Sequence, residues 1–106
     1  MDSKLHQLNK IIISRTDSIG DVILTLPLAG FLKKQHPFLQ ILFLGQKYTE
    51  PIINTCKNID SFIDWTEISQ LDKKDIIQYF KEQRAEAIIH VFPKKSIAQL
   101  VKKAGI

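Results

Sequence analysis

A single cysteine, Cys56, in 106 residues excludes an internal disulfide and suits a reducing compartment. It is either a reactive thiol or packing, the commoner role of a lone cysteine in an apolar segment. The three histidines, His6, His36 and His90, have neither metal-ligand spacing nor a cysteine cluster to join, so no metal is expected. Residue order also yields no Ser-His-Asp arrangement. Glycine is scarce, with four in the chain. Neither GxGxxG nor GxxxxGK[ST] occurs, which removes the usual dinucleotide and triphosphate loops. Long apolar runs are missing as well. The nearest, residues 22–32, is too short to span a bilayer and contains Pro27. The opening MDSKLHQLNK has no apolar stretch behind its charges, so no signal peptide and a cytoplasmic location are expected.

What is present is ordinary for a soluble globular protein: 44% apolar and 25% charged residues, enough for one small core. The length fits one small domain or a piece of a larger one. The net charge of +4 is unevenly placed, because residues 1–93 hold eleven basic and eleven acidic side chains. The excess is Lys94, Lys95, Lys102 and Lys103. Such a cluster is either a solvated final helix or a face for an anionic membrane or phosphate, and charge alone favours the first. It lacks the density and interleaved aromatics of a nucleic-acid surface, so no nucleic acid is expected.

Along the chain, residues 1–9 read as a polar lead-in. Residues 10–14, KIIIS, are apolar on both sides, as a strand covered on both faces should be. A helix follows from near Gly20, turns basic at Lys33 and Lys34, and ends before Pro37. Pro27 cannot donate to the carbonyl of Ile23, so a kink or a separate first turn is expected. Residues 38–44 read as a second strand, closed by Gly45. Thr49 reads as the cap of a short helix with Pro51 in its first turn and its end near Lys57. Residues 61–64 are a third strand, with Trp65 beside it as packing. Asp72 caps a helix to about Arg84, with Leu71, Ile76, Ile77 and Phe80 inward. Residues 85–92 form a fourth strand, and a last helix over 96–104 stops at Gly105. Strands alternating with helices through short connections predict an α/β fold: a Rossmann-like parallel sheet with helices on both faces and right-handed crossovers.

In such sheets ligands bind outside the carboxyl ends of the strands. The chemistry is therefore sought in the loop after the first strand, Ser14-Arg15-Thr16-Asp17-Ser18, and at the helix start, Ile19-Gly20-Asp21. Asp21, just after a glycine that lets the backbone turn, is either a general base toward a bound hydroxyl or an acid placed by the helix dipole. The residue pattern alone favours the dipole. Asp17 and Ser18 are N-cap candidates, and the amides of Ile19 and Gly20 could hold an anion. Arg15 is a clamp for phosphate or carboxylate, or a surface cation. His90, near the end of the fourth strand, either faces the same crevice or is a hydrogen-bonded buried histidine, and the latter is favoured.

The segment SRTDSIGDVILTLP resembles the start of the ADP-heptose–lipopolysaccharide heptosyltransferase family of glycosyltransferases. That family has a strand, a polar loop, an (I/L/M)-G-D-V segment, then T-L-P and a helix ending in a proline. The matching residues are Ile19-Gly20-Asp21-Val22, Thr25-Leu26-Pro27 and Pro37. ILFLGQKYTEPII and IDSFIDW follow the family at the level of pattern. HVFPKKSIAQLVKKAGI is similar to the segment before its arginine-isoleucine-glycine turn. The resemblance implies a two-domain GT-B architecture of which residues 1–106 are a partial, acceptor-side N-terminal domain, with the donor-binding domain absent. It implies inverting sugar transfer from a nucleotide-sugar to a lipid-linked saccharide, without a required metal or other cofactor. It casts Asp21 as the base and reverses the preference at that residue. Arg15, Asp17, Ser18 and Gly20 become substrate-binding candidates, and the lysine cluster gains a use in peripheral contact with the inner face of the cell membrane. A fragment of this kind is expected to be inactive alone. The competing reading is a stand-alone Rossmann or flavodoxin-like module that binds a nucleotide or phosphate at the first loop. A response-regulator receiver would need an acidic pair right after the first strand, which is not there.

Overall fold

The computed structural model describes residues 9–106. The expected polar lead-in, apart from Asn9, and His6 lie outside the described residues. Four strands form one parallel sheet: β1 (Lys10–Ser14), β2 (Gln40–Gly45), β3 (Ser61–Asp64) and β4 (Ala87–His90), in the order β3-β2-β1-β4. The helices are α1 (Ile19–Gln35), α2 (Glu50–Ile53), α3 (Trp65–Ile68), α4 (Lys73–Gln83) and α5 (Lys95–Lys103), with a single 3₁₀ turn at Lys47–Thr49. The predicted α/β class and parallel sheet are therefore present.

β1 is central and paired on both sides, which explains its unbroken apolar run. Ile11 and Ile13 face one layer with Ile41, Phe43 and the buried α1 residues Val22, Ala29 and Leu32; Ile53 of α2 joins them. Ile12 faces the other with Leu42, Leu44, Ile63, Trp65, Phe80, Ile97 and Val101. One face of the sheet is covered by α1 and α2, the other by α3, α4 and α5. Trp65 is buried, as its packing assignment required.

Several boundaries differ from expectation. α1 runs unbroken through Pro27, without a separate first turn. Pro27 lies on the exposed side with Ile23 and Leu24, so the carbonyl that loses its partner is on the water-facing side of the helix. β2 starts at Gln40 because Phe38, 98% exposed, is in the turn after α1. Thr49 stands at the N-cap position of α2 without a side-chain cap bond; its hydroxyl donates to the carbonyl of Gln46 at 2.7 Å, and the helix ends at Ile53. Cys56 therefore lies in a turn, half-buried, and not in a helix. Asp72 stands at the N-cap of α4 without a side-chain cap bond, and Leu71 is exposed, outside the helix's inner stripe. β4 is shorter than residues 85–92 at both ends. Gly105, with φ +86°, follows α5 as expected.

Asp60 ties the layers together. One of its oxygens accepts from the amide of Ile41 at 2.7 Å and from Lys33 of α1 at 2.8 Å, while its amide donates to the carbonyl of Ile41. The side chain thus fastens the C-terminal turn of α1 to the opening of β2.

Candidate functional site

The strand order fixes where a site can form. The chain leaves β1 toward β2 and β3, then returns to place β4 on the other side of β1. The loops after β1 and β4 are neighbours, yet one leads to α1 on the first face and the other to α5 on the opposite face. Loops that diverge in this way open a crevice at the carboxyl edge, the topological switch point where ligands bind in open α/β sheets.

The α1 wall of this crevice carries the acidic and basic groups. Arg15 reaches Asp17 in a two-point contact: Nε lies 3.0 Å from Oδ1, and Nη2 donates to Oδ2 at 3.1 Å. Nη2 also lies 3.5 Å from Asp21 Oδ1. Arg15 is therefore a half-buried counter-ion for two carboxylates. Ser18 occupies the N-cap position of α1, but its hydroxyl makes no cap bond. It donates instead to Asp21 Oδ2 at 2.7 Å. The reason is charge: an ionised carboxylate is a stronger acceptor than the alternatives open to a hydroxyl, and such bonds are short. Asp17 likewise spends its carboxylate on Arg15 rather than on the helix.

Asp21 is thus oriented from two sides while its side chain stays 47% exposed. The Ser18 hydrogen bond, more than burial raises it, and with help from the Arg15 charge, holds its carboxyl below the ordinary carboxylate range. It is ionised at neutral pH and open to a substrate. Gly20 is helical, and a side chain built there would meet nothing within 4 Å. The expected tight turn at Gly20 is absent; the chain bends at Asp17 instead. What Gly20 contributes is a bare surface beside Asp21.

Sequence reasoning missed the groups that hold this loop from the β2 side. Gln46 donates to the carbonyl of Thr16 at 3.3 Å, and Tyr48 to that of Asp17 at 3.1 Å. Gln46 is itself fixed by the hydroxyl of Thr66 at 2.6 Å. Their contacts are long-range and follow no local pattern, although a polar stretch straight after an apolar strand could have drawn attention to Gln46.

At the floor of the crevice, Ser14 is the register partner of His90. Both lie on the sheet face of Ile12 and Ile88, and Thr16 follows Ser14 by two residues. Ser14 Oγ, Thr16 Oγ1 and His90 Nδ1 are enclosed and have no hydrogen-bond partner among the described residues. His90 is half-buried with Nδ1 unpaired, which differs from the hydrogen-bonded buried histidine expected. A buried polar group left in this condition costs about 1–3 kcal/mol, and native proteins hold few of them. Elsewhere, no group of three His, Cys, Asp or Glu side chains that could hold a metal occurs among the described residues. The lysines at 94, 95, 102 and 103 are all exposed and are split between the two ends of α5. No helix of the described residues is long and apolar enough to cross a membrane.

The fold has counterparts of known structure. A glycosyl transferase family 9 structure from Veillonella parvula superimposes with a TM-score of 0.74 at 22% identity, over 90% of this chain and 29% of the other. The Escherichia coli ADP-heptose LPS heptosyltransferase II gives a TM-score of 0.73 at 20% identity, over 92% of this chain and 28% of the other. The fold is that of part of a glycosyltransferase. Among curated proteins, a Haemophilus influenzae protein provisionally named a glycosyltransferase is 30% identical over 100 residues, 93% of this chain. The chain spans 29% of that protein's length. No family model matches the chain. The resemblance read from Gly20-Asp21 and Thr25-Leu26-Pro27 is thus met by structural and sequence neighbours of the same kind.

Proposed function

We propose that this chain is the acceptor-side part of a glycosyltransferase of the heptosyltransferase type, with Asp21 as its general base. The observation that carries the reading is Asp21 itself: an exposed, ionised carboxylate at the switch-point crevice, held in place by Ser18 and Arg15. In inverting transfer the acceptor hydroxyl must lose its proton as it attacks the anomeric carbon and the sugar–phosphate bond breaks. A carboxylate within hydrogen-bond reach of that hydroxyl accepts the proton. Because Asp21 is a weak base, the transfer is concerted: the proton becomes acidic only as the new bond forms, and Asp21 then takes it. Arg15, 3.5 Å from the carboxylate, helps to hold it in place and is a positioning residue. The nucleotide-sugar co-substrate would bind on a second half outside this chain, and the acceptor would be a lipid-linked saccharide.

The first check is the coding region downstream of Ile106, where a second Rossmann-like half is expected. In the protein containing both halves, Asp21→Asn should lower transfer by about 10²–10⁴-fold, the range for loss of a general base, without change in thermal unfolding. Near-normal turnover in that variant would remove Asp21 from the mechanism.

A further inference from the structure

We infer that Ser14, Thr16 and His90 form a subsite for the hydroxyl groups of a neutral sugar ring at the floor of the β1/β4 crevice. The inference deepens the proposed function and rests on it for the identity of the occupant, though the subsite is read from different atoms.

Three observations lead there. Ser14 is 1% exposed and Thr16 6% exposed, and both hydroxyls lack a partner among the described residues. Next to Ser14 across the sheet, the enclosed Nδ1 of His90 is equally unpaired. Main-chain groups beside them are paired by contrast: the carbonyl of Ser14 accepts from Val91 at 3.0 Å and Phe92 at 3.4 Å, and the amide of Arg15 donates to the carbonyl of Leu44. Side chains at the end of a central strand have thus been left polar and unpaired where nearby main-chain groups have not. The place is the crevice floor, between the loops that diverge to α1 and α5.

The chemistry of the three groups points to a neutral, hydroxyl-rich ligand. Each hydroxyl donates one hydrogen bond and accepts others, and a neutral imidazole nitrogen does either according to tautomer. A pair of sugar hydroxyls offers the matching mixture. An anion fits less well, because Arg15 faces two carboxylates, Asp17 and Asp21, and the α1 wall carries one excess negative charge. Lys94 and Lys95 are exposed at the start of α5, on the other wall, and are the reason to test phosphate beside the sugars.

The test is an amide-resonance titration of the chain with methyl glucoside, methyl galactoside and methyl mannoside, and separately with inorganic phosphate. At least one glycoside should shift the resonances of Ser14, Thr16 and residues 90–92 with millimolar affinity, and phosphate should shift none of them. Ser14→Ala and His90→Gln should each weaken that response about tenfold or abolish it. Ser14→Ala should also leave the unfolding temperature unchanged or raise it, since it removes an unpaired polar group. Phosphate shifts in place of glycoside shifts would make this an anion site and overturn the inference. No response to any glycoside, or a lowered unfolding temperature in Ser14→Ala, would show that the groups are satisfied in the protein itself and would overturn it too. A glycoside response together with normal transfer by Asp21→Asn would sink the base assignment alone and leave the subsite standing.

Discussion

Ser18 sets the orientation of Asp21 and lowers the pKa of its carboxyl. With a folded-state pKa below the unfolded one, any stability this interaction contributes is present above the ordinary carboxylate range. It is lost as pH falls through the folded value. Ser18→Ala should therefore raise the Asp21 pKa toward that ordinary range, as read from carboxyl resonances over an acid titration. An unmoved value would mean that Arg15 alone sets it. Gly20 makes the complementary case. Open space surrounds it and its backbone is helical, so Gly20→Ala should stabilise the chain by about 0.4–1 kcal/mol in denaturant unfolding. If transfer by a protein carrying the proposed donor half nonetheless falls, the glycine serves the approach of substrate to Asp21 and not the fold. Asp21 and its neighbourhood were legible in the sequence because a first-turn acid after a strand and a polar loop is a local pattern. The direction of the Ser18 hydrogen bond was not, since it depends on which charged acceptor the folded chain brings within reach.

Asp60 shows how an element end is secured without a capping motif. Asp60→Ala removes the acceptor for the Ile41 amide and for Lys33 together. The expected loss is about 1–3 kcal/mol in urea unfolding, the usual consequence of leaving a main-chain donor unpaired. A smaller loss would mean that water replaces the carboxylate. The elements themselves were largely readable. Strands buried on both faces announce themselves by runs such as Ile11-Ile12-Ile13, and Gly105 stops α5 as its conformation allows. Pro27 misled because the cost of a proline in a helix depends on whether the freed carbonyl meets water, and this is decided by which face packs on the sheet. Thr49 and Asp72 stand at the N-cap positions expected but make no cap bond, because a residue of capping type marks an N-terminus without having to make it.

Strand order lay beyond any local pattern. Alternation of strands and helices predicts a parallel sheet, but several orders satisfy it, and only those that pair β4 with β1 set Ser14 beside His90. The crevice is therefore a property of the whole molecule, although each residue in it is visible in the chain. The same order has a consequence during synthesis. β1 is made before both of its neighbours, and the second of them, β4, follows more than seventy residues later. At about 5–20 residues per second, the nascent chain holds Ile11-Ile12-Ile13 with one unpaired edge for several seconds. An exposed apolar edge of that kind templates association with other chains. A chain stopped at Arg84, with β1 to β3 and α4 but no β4, should accordingly sediment as aggregates where the 106-residue chain stays dispersed. Equal solubility of the two would show that something other than β4 guards the edge. Until residues 87–90 are made, the future floor of the crevice is the part of the protein most in need of a chaperone.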